Sequence, residues 1–158
     1  MSESKPDLYR DLAVQLKALL AGETDRIANA ANMAALIYHG LPDLNWAGFY
    51  FRRDQELVLG PFQGKPAYVR IPFGKGVCGT AASRAATVLV RDVDDFPGHI
   101  ACDPASRSEL VVPLIDAGEV SGVLDLDSPL VGRFDETDQH GCEQLVALLV
   151  DHHRQHPE

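Results

Sequence analysis

Leu8, Leu12, Leu16, Leu19 and Leu20 recur at three- and four-residue steps, the spacing that gathers apolar side chains on one stripe of a helix. Gly22 supplies a left-handed stop. A second stripe, Ile27, Ala30, Ala31, Ala34 and Ile37, predicts another amphipathic helix with Thr24 as its N-cap and an end at Gly40 and Pro42. Its alanines imply close packing against a neighbour. From Asn45 the period falls to two: residues 46–51 and 56–62, parted by the polar corner Arg52-Arg53-Asp54-Gln55, read as an antiparallel hairpin. A third short strand over 67–71 is stopped by Pro72. The segment from Gly74 to Asp103 then holds a Gly-x-Gly turn, a short helix beginning near Val77, a brief β-branched run and an acidic loop closed by Phe96-Pro97-Gly98-His99. Residues 108–114 and 119–126 form a second hairpin around Asp116-Ala117-Gly118. A final helix starts near Asp135, with Asp138 three residues on, and runs to about His153. Cys142, Leu145, Val146 and Leu149 fall on its apolar stripe, so Cys142 reads as inert core.

Helices at both ends and antiparallel strands between them predict an α+β fold, with the sheet covered on one face and carrying loops on the other. The 158 residues suffice for one core, so a single domain over 1–158 is expected, its core from about 8 to 153.

Alternation separates further sets. In Val123-Leu124-Asp125-Leu126-Asp127 the leucines face the core, so Asp125 and Asp127 leave it together. A hairpin symmetric about Ala117 sets Glu109 opposite Asp125, and like charges so opposed are unfavourable unless something positive or a shared proton lies between them. A wet hairpin edge lined with acids is the plainer alternative, and a one-residue slip sends Glu109 to the other face. Trp46, the only tryptophan, shares a face with Gly48 and Tyr50, while Phe49 and Phe51 take the other. Both aromatic sets cannot meet one core, which leaves one for a pocket or an interface.

Charge narrows the partners. Fourteen basic against 23 acidic residues give a net charge of -9, which repels nucleic-acid backbones and anionic lipid heads. The first residues form no apolar signal core, and no run approaches the roughly 18 apolar residues of a membrane span. A cytoplasmic protein is expected. Cys78, Cys102 and Cys142 contain no Cys-x-x-Cys pair, so neither a disulfide framework nor a zinc ribbon is indicated, and no metal or organic cofactor is expected. Cys78 and Cys102 sit among turn residues, where a thiol more often serves chemistry than packing. His99, three residues before Cys102, either lowers its pKa or holds a loop carbonyl. The Gly74-Lys75-Gly76 turn with Thr80 lacks the spacing and ending of a phosphate loop; its glycines let the backbone turn and expose amides able to receive a carboxylate.

The motifs NWAGFYF, LVLGPFQGKPA, RIPFGKGVCGTAA, DVDDFPGHIACD, SELVVPL, GVLDLDSP and GRFDE, in this order over about 45–135, closely resemble those of the free methionine-(R)-sulfoxide reductases, enzymes made of a single GAF domain. The resemblance implies a GAF-like sheet with its ligand pocket under loops, Cys102 as nucleophile, and Trp46, Glu109, Asp125 and Asp127 around the substrate, with Tyr50 added by its shared face with Trp46. It also implies a homodimer recycled by thioredoxin or another thiol reductant. In that chemistry a thiolate attacks the sulfoxide sulfur while a crowded carboxyl, for which Asp127 is the candidate, protonates the oxygen. Where the family usually carries a third cysteine this chain has Tyr68, so Cys78 or an external thiol would resolve the Cys102 sulfenic acid. Tyr68 also leaves an alternative, a non-catalytic GAF module that binds a small amino-acid-like ligand.

Overall fold

A computed structural model describes residues 4–100 and 103–157. Six antiparallel strands form one sheet: β1 (Trp46–Arg53), β2 (Glu56–Gly64), β3 (Arg70–Pro72), β4 (Val88–Val90), β5 (Ser108–Asp116) and β6 (Glu119–Ser128), in the order β3-β2-β1-β6-β5-β4. Helices α1 (Lys5–Leu20), α2 (Arg26–Gly40) and α4 (Glu136–Gln155) cover one face, and α3 (Gly76–Arg84) with the loops around it covers the other. Among the described residues no helix is long and apolar enough to cross a membrane.

The helix face is built as the periodicities require. Leu12, Leu16 and Leu20 of α1, Met33, Ala34 and Ile37 of α2, and Cys142, Leu145 and Leu149 of α4 meet Ala47, Phe49, Leu110, Leu124 and Leu126 from the sheet. Leu19 and Ile27, read as members of their stripes, are exposed instead. The N-cap of α2 is Asp25, not Thr24: its carboxylate accepts from the Ala28 amide at 2.8 Å. Asp135 and Asp138 close the expected capping box on α4. Asp138 is itself fully buried and accepts from the Tyr9 hydroxyl at 2.7 Å, Lys5 Nζ at 2.7 Å and Arg133 Nη1 at 3.3 Å, which ties α1 to α4.

Two irregularities set the opposite face. Gly48 lies against β2 so closely that an added Cβ would meet Phe62 Cβ at 2.3 Å, so only glycine lets the strands pair here. In the β5–β6 hairpin the turn pairs Asp116 with Glu119 across Ala117 and Gly118, both at positive φ. Ser121 is then an extra residue, since Ile115 pairs with Val120 but Leu114 with Gly122. The two-residue turn moves the register one place from the symmetric pairing and this bulge one place more: Glu109 faces Asp127, and Asp125 faces Val111. A shift of two keeps every side chain on its face. The bulge also explains why Val120 and Val123, of opposite parity, both lie on the α3 side.

Candidate active site

The face away from α1, α2 and α4 carries its charge in one place. Glu109 from β5 and Asp125 and Asp127 from β6 are 5%, 4% and 6% exposed, buried beneath α3. Cys78, in the first turns of α3, brings its Sγ to 4.0 Å from Glu109 Oε2, and His99 Nε2 lies 3.2 Å from Glu109 Oε1. His99 therefore meets a carboxyl of the sheet, and not a loop carbonyl. A cavity of about 10 Å³ is lined by these five residues with Tyr50, Ile71, Ile100 and Ser106 among others. Ile71, Ile100 and Ser106 were not foreseen; a three-residue strand such as β3 is too short to show a period, and Ile100 and Ser106 lie in loops, which have none.

The aromatic set on β1 walls this region without lining the cavity throughout. Trp46 is 1% exposed, stacks on Phe62 at 5.2 Å and Tyr50 at 6.0 Å, and donates its indole N–H to the Lys65 carbonyl at 3.0 Å. The Tyr50 hydroxyl donates to the carbonyl of Tyr68 at 2.9 Å, while the Tyr68 residue itself is exposed. Cys102 lies outside the described residues. On one side of it Ile100 lines the cavity. On the other, Asp103 accepts from Asn45 Nδ2 at 3.1 Å and from the Ala105 amide at 2.9 Å, and Asn45 also donates to Ser106 Oγ at 2.9 Å. Asn45, next to Trp46 in sequence, thus braces the loop that follows Cys102. The amides of Gly74 and Lys75, read as free for a carboxylate, are spent on the Gly79 and Pro72 carbonyls at 2.8 and 3.1 Å.

Burial decides the protonation states. Loss of water pushes all three carboxyls well above their ordinary range, and repulsion from a neighbouring carboxylate adds to it in each case. The three interact with one another, so they titrate as a coupled, proton-sharing group. Burial and then the charges of Asp125, Glu109 and Asp127 push the Cys78 thiol up, which keeps it neutral. Burial lowers His99, so its contact with Glu109 joins two neutral groups and is a hydrogen bond more than an ion pair. Asp103 goes the other way: the Ala105 amide, with Asn45 and Lys65, holds its carboxyl below the ordinary value. The arrangement therefore holds protons near neutrality beside a face able to attract a cation. Cys78, Glu109 and Asp125 are also close enough together to hold a metal ion.

The GAF domain family profile matches residues 15–151. The free methionine-R-sulfoxide reductase of Escherichia coli is 54% identical over 146 residues, covering 92% of this chain and 88% of the relative. The chain belongs to the free methionine-(R)-sulfoxide reductase family of GAF domains. The crystal structure of the free methionine-R-sulfoxide reductase of Neisseria meningitidis in complex with its substrate superposes with a TM-score of 0.93 at 46% identity, covering 98% of this chain and 93% of that one. A candidate GAF sensor protein from Burkholderia vietnamiensis gives a TM-score of 0.93 at 59% identity, covering 97% and 98%. In GAF terms the three carboxyls and Cys78 lie on the face that α3 and its loops enclose, away from the terminal helices.

Proposed function

We propose that this chain reduces free L-methionine-(R)-sulfoxide to methionine at the expense of a thiol, with Cys102 as nucleophile. The observation that carries the reading is the burial of Glu109, Asp125 and Asp127 together with neutral Cys78 beneath α3, with His99 and Ile100 lining the same cavity. Two of the relatives named above, the free methionine-R-sulfoxide reductases of Escherichia coli and Neisseria meningitidis, support it. The Cys102 thiol gives up two electrons, the substrate sulfur gains them, and the sulfoxide oxygen ends on Cys102 as a sulfenic acid. Asp127, crowded by its partners, supplies the proton to that oxygen as the S–O bond breaks. The remaining negative charge of the acidic group holds the ammonium of the free amino acid, while Trp46 and Tyr50 form the wall beside the S-methyl end.

A cavity of about 10 Å³ has room for one water-sized occupant, so the amino acid enters only after His99 and Ile100 move off the sheet. Cys78 or an external thiol then condenses with the sulfenic acid and releases water, and thioredoxin or another thiol reductant returns Cys102 to the thiol. The active species is a cytoplasmic homodimer of a single-domain chain.

Tyr68, exposed where the family usually has a cysteine, favours one second reading: a GAF module that binds the same ligand without turnover. Intact-mass measurement separates the two. Exposure to the sulfoxide without reductant should add one oxygen, or remove two hydrogens as a disulfide forms, and Cys102→Ser should show neither. An unchanged wild-type mass would leave only the binding module.

A further inference from the structure

Cys78 has no required part in the first half of the reaction, yet it lies against the buried carboxyls of the sheet. Its Sγ, a carboxylate oxygen of Glu109 and one of Asp125 all fall within 4.8 Å of one another. Three ligands on a tetrahedral ion sit about 3.3–3.7 Å apart when the metal bonds are about 2.0–2.3 Å. Side-chain rotations of an ångström or so close that gap. All three groups are buried on rigid elements: the start of α3, β5 and β6.

A second observation points to a cation. Asp125 Oδ1 is buried, belongs to a residue 4% exposed that lines the cavity, and has no hydrogen-bond partner among the described residues. A buried carboxylate oxygen without a donor is an unfilled acceptor, and such groups in folded proteins are normally satisfied by protein, water or an ion. The cavity of about 10 Å³ beside it matches one ion or one water and nothing larger. His99 Nε2, 3.2 Å from Glu109 Oε1, lines the same cavity. Lys75, the one fixed cation on the lining, is exposed and forms no ion pair among the described residues, so it does not neutralise the group.

We propose that Cys78, Glu109 and Asp125 form a binding site for a zinc-class divalent cation within this pocket. One sulfur and two oxygens make a donor set of intermediate softness, which suits Zn²⁺ or Co²⁺ and disfavours Mg²⁺ and Ca²⁺, whose shells are all oxygen. The thiol proton, and the protons the two carboxyls hold, pass to solvent as the ion binds. The bound ion takes the carboxylates that hold the substrate ammonium, so cation and amino acid exclude each other; that consequence alone rests on the function proposed above.

Co²⁺ titration of the metal-free protein tests the site directly, because thiolate ligation to cobalt produces a strong near-ultraviolet charge-transfer band. Expected are a band saturating at one Co²⁺ per chain, its loss on adding Zn²⁺, its absence in Cys78→Ser, and at least about tenfold weaker binding in Asp125→Asn. Cys142→Ser and Cys102→Ser should keep the band. Circular dichroism melts establish that each variant is folded. Absence of the band in the folded wild type, or its persistence in Cys78→Ser, overturns the proposal. If the band behaves as expected while the protein shows no reductase activity, the reductase reading falls and the metal site stands; if activity is present and no band forms, the reverse holds.

Discussion

Replacing Glu109 by Gln should make the protein more stable, and by an amount that grows with pH. Glu109 is 5% exposed and paired across the strands with Asp127, with Asp125 two residues earlier on β6. Its carboxyl lies well above the ordinary value of 4.5, first through burial and then through Asp127. Between that value and the raised one, the unfolded chain has lost a proton that the folded chain keeps, so stability declines as pH rises. It is full below about pH 4.5 and is lost as the pH passes through the folded value. At a cross-strand spacing of about 5 Å and an effective dielectric of about 20, two unit charges repel by about 3 kcal/mol, whereas measured cross-strand effects reach about 1 kcal/mol. Glutamine preserves the size and the hydrogen bond to His99 but never ionises. Its gain should therefore be near zero at about pH 4.5 and about 1–3 kcal/mol at alkaline pH, a rise in Tm of about 2–12 °C for a chain of this length. Thermal melts followed by circular dichroism across that range provide the assay. A gain independent of pH, or a loss at alkaline pH, would refute the shared-proton account of the acidic group.

Cys102→Ser should abolish sulfoxide reduction, while Cys78→Ser should keep the first turnover; stopped multiple turnover with thioredoxin in Cys78→Ser assigns resolution to Cys78, and unchanged turnover assigns it to an external thiol. Tyr9→Phe removes the hydroxyl that donates at 2.7 Å to fully buried Asp138, and should cost about 1.5–3 kcal/mol in urea unfolding with activity retained. Gly48→Ala drives a methyl group to 2.3 Å from Phe62 Cβ and 2.7 Å from its Cα. Because backbone blocks the way, it should lower stability by about 2 kcal/mol or more, seen as a reduced Tm.

Period and capping chemistry carried most of the architecture, because they act over a few residues. The leucine stripe of α1, the alanine-rich α2, the polar corner of the first hairpin and the Asp135 capping box are local signals, and the fold contains each of them. The errors arose where distant packing decides. Leu19 and Ile27 continue helical stripes by spacing, yet each sits at the stripe's edge with no neighbour to cover it. The symmetric hairpin missed the bulge at Ser121, since nothing in the local sequence distinguishes an extra strand residue from a paired one. Alternation still placed Asp125 and Asp127 on the correct face, because the bulge lies beyond them towards the turn. The meeting of His99 with Glu109, and of Asn45 with Asp103 and Ser106, joins segments separated by 10 to 61 residues. Such contacts follow from tertiary folding and have no spacing to announce them. Tyr9 with Asp138 is the same case, 129 residues apart.

The most direct measurement is incubation of the purified protein with the separated R and S epimers of free methionine sulfoxide and a dithiol, with both epimers and methionine quantified by chiral chromatography. Loss of the R epimer alone, matched by methionine and dependent on the dithiol, is the predicted result. Persistence of the R epimer under these conditions, with the protein folded, would contradict the account.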